Sequence, residues 1–188
     1  HTISRRQRQM CIRDRLVPME AEEHAEALFE ANQLDTEGTN WAYLPYGPFA
    51  DLKSYHSWVR ENQGLEDPVF LAIVEKESGR PLGIASYLRI HPAEGSIEVG
   101  HIHFSPLLQR TTSATESMFL MMQWAFEAGY RRYEWKCNAL NQASRRAAQR
   151  LGFSFEGIFR QMMIVKGRNR DTASVSYTHL TLPTTDRV

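Results

Sequence analysis

The stretch richest in possible chemistry is Glu98-Val-Gly-His-Ile-His-Phe-Ser-Pro-Leu-Leu-Gln-Arg-Thr-Thr-Ser-Ala-Thr115. Its first half reads as a strand ending at Phe104, and its last residues open a helix near Thr112. Such a junction points unpaired backbone N–H groups and the positive end of the helix outward, which suits a phosphate. Small residues from Thr111 to Thr115 let a ligand approach the backbone, and their hydroxyls add donors. The same Ser/Thr run could simply cap the helix. A second stretch, Cys137 to Gly157, reads strand, Asn-rich turn, helix, Gly152-Phe153, strand.

The remaining chemistry-bearing side chains have plainer readings. His101 and His103 share one strand face, with Cys137 on a neighbouring strand, but no fourth ligand is spaced to complete a metal site, so no metal is expected. Arg131-Arg132, Arg145-Arg146 and the Arg168/Arg170 pair read as solvated faces, or as one partner for a phosphate. The Trp41–Pro48 loop offers Trp41, Tyr43 and Tyr46 as walls of an acceptor pocket, with core packing as the alternative. Met118, Met121 and Met122 belong to a core.

The elements that must position these groups follow from periodicity and punctuation. Leu16-Val17 is a strand stub stopped by Pro18, and Glu20 to Asn32 carries helical spacing with acids in its first turn. A proline-punctuated loop spans 40–48, and a helix runs from Asp51 to about Asn62. Strands over 69–74, 82–90 and 96–104 form an antiparallel meander. A helix over 112–127, a strand over 132–138, a helix over 141–151 and a strand over 154–165 complete the order. Without repeats or linkers, this is one α+β domain.

Composition bounds the function. The 188 residues are 42% hydrophobic and 23% charged, enough apolar material for a packed core. Lys+Arg 22 balances Asp+Glu 22, which argues against a nucleic-acid binder. No run approaches the roughly 18 apolar residues of a membrane span, so a cytoplasmic domain without membrane contact is expected. The two ends look foreign. Val175 to Thr184 can be encoded by DNA whose reverse complement translates as Arg5 to Asp14, RRQRQMCIRD. That DNA resembles the end of a sequencing adapter. Residues 1–15 and 174–188 are therefore expected to be non-native tails. The interior, 16–173, carries 16 basic against 20 acidic residues and one cysteine, Cys137. It is expected to be incomplete at both ends, with its last strand or strands cut short.

The two motif-bearing stretches resemble the GNAT superfamily of acyl-CoA N-acyltransferases, in the RimJ/RimL-like branch that acetylates ribosomal-protein N-termini. The family's pyrophosphate loop, Gln/Arg-x-x-Gly-x-Gly/Ala, is similar to Gln109-Arg-Thr-Thr-Ser-Ala114, with Thr112 in place of the first glycine. Asn141, Ser144, Gly152 and Phe153 match a second motif, and Phe153, Glu156 and Gly157 a Rim-branch signature. Gly167 to Asp171 fits the closing pattern. The resemblance implies a GNAT fold: a mixed, mostly antiparallel sheet flanked by helices, whose splayed strands form a groove for acyl-CoA.

It also implies roles. Acetyl-CoA would be the acyl donor, its pantetheine pairing with backbone near His103 and Phe104. Its pyrophosphate would lie on Gln109, Arg110, Thr111, Thr112, Ser113, Ala114 and Thr115. Asn138, Asn141 and Ser144 would line the thioester end. An amine would attack the thioester, with a backbone N–H stabilising the oxyanion. Glu98, beside the splay, is the candidate general base, against an ion-paired or solvent-facing glutamate. The family's tyrosine acid is replaced by Ala148, which leaves Ser144 to protonate the thiolate or to bond cofactor or helix start. The expected function is acetyl transfer to a peptide N-terminus or small primary amine, by a monomer or homodimer. The alternative is a non-catalytic acyl-CoA-binding domain.

Overall fold

Residues 69–74, Val-Phe-Leu-Ala-Ile-Val, are buried along almost their whole length, because helices cover both faces of the sheet they centre. A computed structural model describes residues 10–11 and 14–178. The strands are β1 (Met10–Cys11), β2 (Asp14–Pro18), β3 (Val69–Glu75), β4 (Pro81–His91), β5 (Ser96–Phe104), β6 (Arg132–Asn138), β7 (Ser154–Val165) and β8 (Arg168–Thr178). The helices are α1 (Ala21–Asn32), α2 (Leu52–Asn62), α3 (Thr112–Glu127) and α4 (Gln142–Arg150), with a 3-10 turn at Thr39–Trp41. One sheet holds all the strands in the order β1-β2-β3-β4-β5-β6-β8-β7. Every neighbouring pair is antiparallel except β5–β6, which is parallel.

Two apolar clusters clamp the sheet. On one face, α1 and α2 bring Ala25, Leu28, Tyr55 and Val59 against Phe70, Ile84 and Trp41. On the other, α3 packs Met118, Leu120, Met121 and Ala125 against Ile97, Val99 and Tyr133. Each large side chain buried this way contributes about 1.5–3 kcal/mol. The methionines are core, as their spacing indicates. The α2 start is a capping box, in which Ser54 N–H donates to Asp51 Oδ1 at 2.7 Å and Asp51 N–H donates back to Ser54 Oγ.

The last strand departs from the sequence reading. β8 runs to Thr178 and inserts between β6 and β7, so residues 174–178 take part in the sheet: Trp135 pairs with Val175 and Arg132 with Thr178. Arg15 likewise pairs with Val74. Ladder bonds come from the backbone, so strand pairing accepts any chain of suitable β-propensity, whatever its origin in DNA. Most residues of the expected tails, 1–9, 12–13 and 179–188, lie outside the described residues.

Candidate functional site

The parallel ladder between β5 and β6 is short, running only from Ser96↔Arg132 to Val99↔Trp135. Beyond it, β5 stays with β4 as far as Phe104, while β6 stays with β8 as far as Asn138. The two edges therefore diverge. A bulge drives the divergence: His101 and Ile102 oppose the single residue Ala85, and His101 takes a left-handed φ of 51°. Gly100, just before it, lies so close to Leu88 that an added Cβ would sit 2.9 Å from that side chain. Ser105 N–H is directed at Leu82 of the β4 side, so strand alternation turns the backbone of Phe104 and Ile102 toward the gap. Of the expected pair, Phe104 faces the opening and His103 does not.

The cleft at this divergence encloses about 220 Å³ and is walled by β5, β6, the loop after the 3-10 turn, the start of α4 and the β7–β8 hairpin. Glu98 is the only carboxylate on its wall among the described residues, and it is 2% exposed. Arg89 donates to Glu98 Oε1 at 2.7 Å and Lys136 Nζ to Oε2 at 2.8 Å. Both its oxygens are thus engaged, the ion-paired arrangement that the sequence left open. Arg89 reaches it from another bulge, at φ 48°, whose Arg89 and Ile90 N–H groups both donate to Asp67.

Opposite, Asn141 caps α4 by accepting from Ser144 N–H at 3.0 Å. Ser144 Oγ accepts from Trp135 Nε1 at 2.9 Å, and its hydroxyl is within hydrogen-bonding reach of the Cys137 thiol. Cys137 stands beside it, its thiol pushed up by burial. Asn138 lines the cleft while its side chain accepts from Leu140 N–H.

At the α3 end, Thr111 is the N-cap: its hydroxyl accepts from Ala114 N–H at 3.1 Å and donates to Leu108 O at 2.7 Å. The N–H groups of Thr112 and Ser113 keep no acceptor among the described residues, which fits the anion-binding reading. Thr112 sits in the first helical turn, and the left-handed position of the loop is taken by Arg110, φ 61°. That is why the missing glycine does not break the turn. Ala114 is buried in the core, and Thr115 follows it in the helix. Gln109 is not free for a ligand, because its amide donates to Asn40 and to Phe104 O.

The three loop aromatics separate. Tyr43 lines the cleft and donates to Leu140 O. Trp41 is 4% exposed and stacks on His103 at 3.7 Å, and Tyr46 stacks on His101 at 5.6 Å. These two shape the loop from beneath and do not wall the pocket. Burial holds both histidines neutral, pushed down to about 4. Among the described residues no group of three His, Cys, Asp or Glu is arranged to hold a metal, and no helix is long and apolar enough to cross a membrane. Sequence reasoning missed Arg89, Lys136, Asn40 and the hairpin residues Met162 and Met163, all on the cleft wall. Arg170, read from the sequence as a solvated face or a phosphate partner, lies on the same wall.

Comparison with known proteins agrees with this geometry. The acetyltransferase (GNAT) domain family matches residues 13–154. A GCN5-related N-acetyltransferase from Brucella melitensis is 44% identical, with a TM-score of 0.87 over 90% of this chain and 77% of that one. A GNAT-family protein from Chromobacterium violaceum is 43% identical, with a TM-score of 0.84 over 90% and 84% of the two chains. RimL, the ribosomal L7/L12 alpha-N-protein acetyltransferase, shares the fold at 19% identity and a TM-score of 0.72 over 90% and 92%. No curated protein sequence matches the chain. With a family match over most of its length and two relatives above 40% identity, the chain belongs to the GNAT acetyltransferases.

Proposed function

We propose that the acceptor of this acetyltransferase is a primary amine, a peptide N-terminal α-amine or a small-molecule amine, as in the RimJ/RimL-like branch. The observation that carries this reading is the cleft where β5 and β6 part, with one carboxylate on one wall and the Ser144 hydroxyl on the other. Acetyl-CoA supplies a thioester carbonyl, and the gap-facing β5 edge at Ile102 together with the free amides of Thr112 and Ser113 fit its pantetheine and pyrophosphate, Phe104 O being held already by Gln109 and Asn40. The amine nitrogen forms the new bond to the acetyl carbon, the carbon–sulfur bond breaks, and the amine's proton leaves toward Glu98, directly or through water. Proton acceptance there requires one of the two cations to yield its place. Arg89, 43% exposed, is the freer of the two, with Lys136 at 13%. Ser144, its oxygen accepting from Trp135, passes its proton to the thiolate and regains one from solvent. Glu98 releases the amine's proton to solvent, so the amide and CoA thiol leave with both side chains back in their starting forms.

The test is release of CoA thiol from acetyl-CoA with a panel of amines and N-terminal peptides. Turnover on an α-amine supports the reading. Tight CoA binding with no turnover on any acceptor identifies a binding domain instead.

A further inference from the structure

Three cations line the cleft: Arg89, Lys136 and Arg170. Arg89 is paired with Glu98, and Lys136 with both Glu98 and Glu134. Arg170 has no ion pair and no hydrogen bond among the described residues, and its Nε is buried without an acceptor. A guanidinium is a planar fork of five donors, and leaving one of them buried and unsatisfied costs stability. Its position is fixed firmly. Arg170 stands on β8 opposite Met163 of β7, two residues before Thr172, which pairs with Asn138 at the open end of β6. Asp171, next in the chain, accepts from Gln161 N–H at the β7 bulge and makes no ion pair with Arg170. Desolvation acts on the Arg170 guanidinium, with the Cys137 thiol and Glu98 opposing it and Arg89 adding to it. Met162, Met163, Val165, Tyr43, Cys137 and Asn138 share the cleft wall with it. Counting charges on that wall, one carboxylate is shared by two cations and the third is uncompensated.

We infer that the acetyl acceptor carries an oxyanion as well as its amine, and that Arg170 is the residue that seats this carboxylate or phosphate in the cleft. The inference rests on the amine-acceptor reading above and narrows it to amines with a compensating negative group. The fork geometry binds either oxyanion through two parallel N–H donors. The position of Arg170, on the hairpin wall across from Glu98, lets the anion anchor one end of the acceptor while the amine points to the other. The unpaired amides of Thr112 and Ser113 at the start of α3 offer the CoA pyrophosphate a separate seat.

Two measurements test this, one of them independent of turnover. In the first, the Arg Nε–H NMR resonances of the CoA-bound protein are followed while β-alanine, β-alaninamide, O-phosphoethanolamine or ethanolamine is added. The Arg170 signal is assigned by its loss in Arg170→Gln. It is expected to move with β-alanine or O-phosphoethanolamine and to stay still with the two neutral partners. Which of the two moves it at the lower concentration identifies carboxylate or phosphate. A resonance unmoved by either anion overturns the inference. In the second, kcat/KM is compared for free amino acids against their carboxamides and for O-phosphoethanolamine against ethanolamine. At least one anionic amine is expected to exceed its neutral partner tenfold or more. Arg170→Gln is expected to erase that ratio and raise the acceptor KM, with the acetyl-CoA KM unchanged. Arg170→Lys, which keeps charge without the fork, is expected to restore part of it. Neutral amines turned over as well as anionic ones overturn the inference while leaving the amine reading intact. Anion-dependent movement of the Arg170 resonance without acetylation of any amine sinks the amine reading and keeps the anion site.

Discussion

Lys136 and Glu98 meet at 2.8 Å where the ladder between β5 and β6 has just ended, so the ion pair sits at the apex of the opening strands. Lys136 also bonds Glu134, and Glu134 bonds Arg132, which forks onto Glu156; the pair heads a ladder of alternating charges down β6. Removing one member of a buried pair strands the other, at a cost of about 3–5 kcal/mol when both are fully buried. If Glu98 only held this apex together, its loss would appear as instability.

Glu98→Gln separates the two roles. The amide still accepts from Lys136 but takes no proton. As a base, it is expected to lose kcat by about 10²-fold or more, the usual scale of general base catalysis. The acetyl-CoA KM is expected to hold within a factor of two or three. An unchanged kcat with a lowered melting temperature removes Glu98 as base.

Thr112→Pro isolates one backbone donor. Proline is well tolerated at the first helical position, where it costs only an N–H that no carbonyl accepts. Thr111, before it, already has the extended backbone that a proline demands, φ −95° and ψ 164°. The variant is expected to keep its melting temperature and lose about tenfold or more in acetyl-CoA affinity, from the roughly 1.5–3 kcal/mol of a hydrogen bond to a charged group. Calorimetric titration with acetyl-CoA decides it. Unchanged affinity rules out the Thr112 amide as a phosphate donor.

Helices and strands with apolar periods were legible in the chain: α3 over 112–127 and β5 over 96–104 have the bounds their patterns indicate. β8 was not, although Thr172 to Tyr177 alternate polar and apolar in the strand period. Its second half lay in residues set aside as a tail, and both of its faces are buried, hydroxyls on one and Ala173 and Val175 on the other. In the site, Asn141, Ser144 and the Thr111 cap could be found from spacing, because each acts on its own helix end. Arg170 reads in the sequence as a candidate phosphate partner, but the convergence of Arg89, Lys136 and Arg170 on one cleft was not legible. Their approach depends on strand order and on bulges at Arg89 and Gln161, whose stabilising carboxylates, Asp67 and Asp171, lie 22 and 10 residues away.

Desolvated histidines make stability depend on pH: burial pushes down His24 as well as His101 and His103. Burial pushes His101 and His103 down to about 4, with Arg89 adding to the effect at His101 and Asp35 opposing it at His103. An unfolded histidine takes its proton near 6.5. Between about 6.5 and 4 the unfolded chain therefore binds more protons than the folded one. Stability is full above about 6.5 and falls as pH drops through that window. His103→Phe keeps a ring over Trp41 and removes one titrating group. The melting-temperature loss between pH 7 and pH 5 is expected to shrink relative to the parent. An equal loss in both proteins places the acid sensitivity elsewhere.

Lys166 ties the cleft's roof to its wall. From the β7–β8 turn its Nζ donates to Gly47 O at 2.7 Å and to Trp41 O at 3.0 Å, so the hairpin holds the aromatic loop that carries Tyr43. The other end of that loop is held by Gln109 on Asn40, next to the α3 loop. Cutting the lysine tie should therefore loosen the acceptor side while leaving the cofactor side anchored. Lys166 has φ 48°, a left-handed position that asparagine also adopts readily, so Lys166→Asn keeps the turn and removes the reach. The expected result is a several-fold rise in acceptor KM with the acetyl-CoA KM unchanged, and a melting temperature lower by a few degrees at most. Steady-state kinetics with each substrate varied in turn checks it. Equal rises in both KM values would mean the roof moves as one body with the α3 loop, and the two ends of the cleft are then mechanically joined through Asn40.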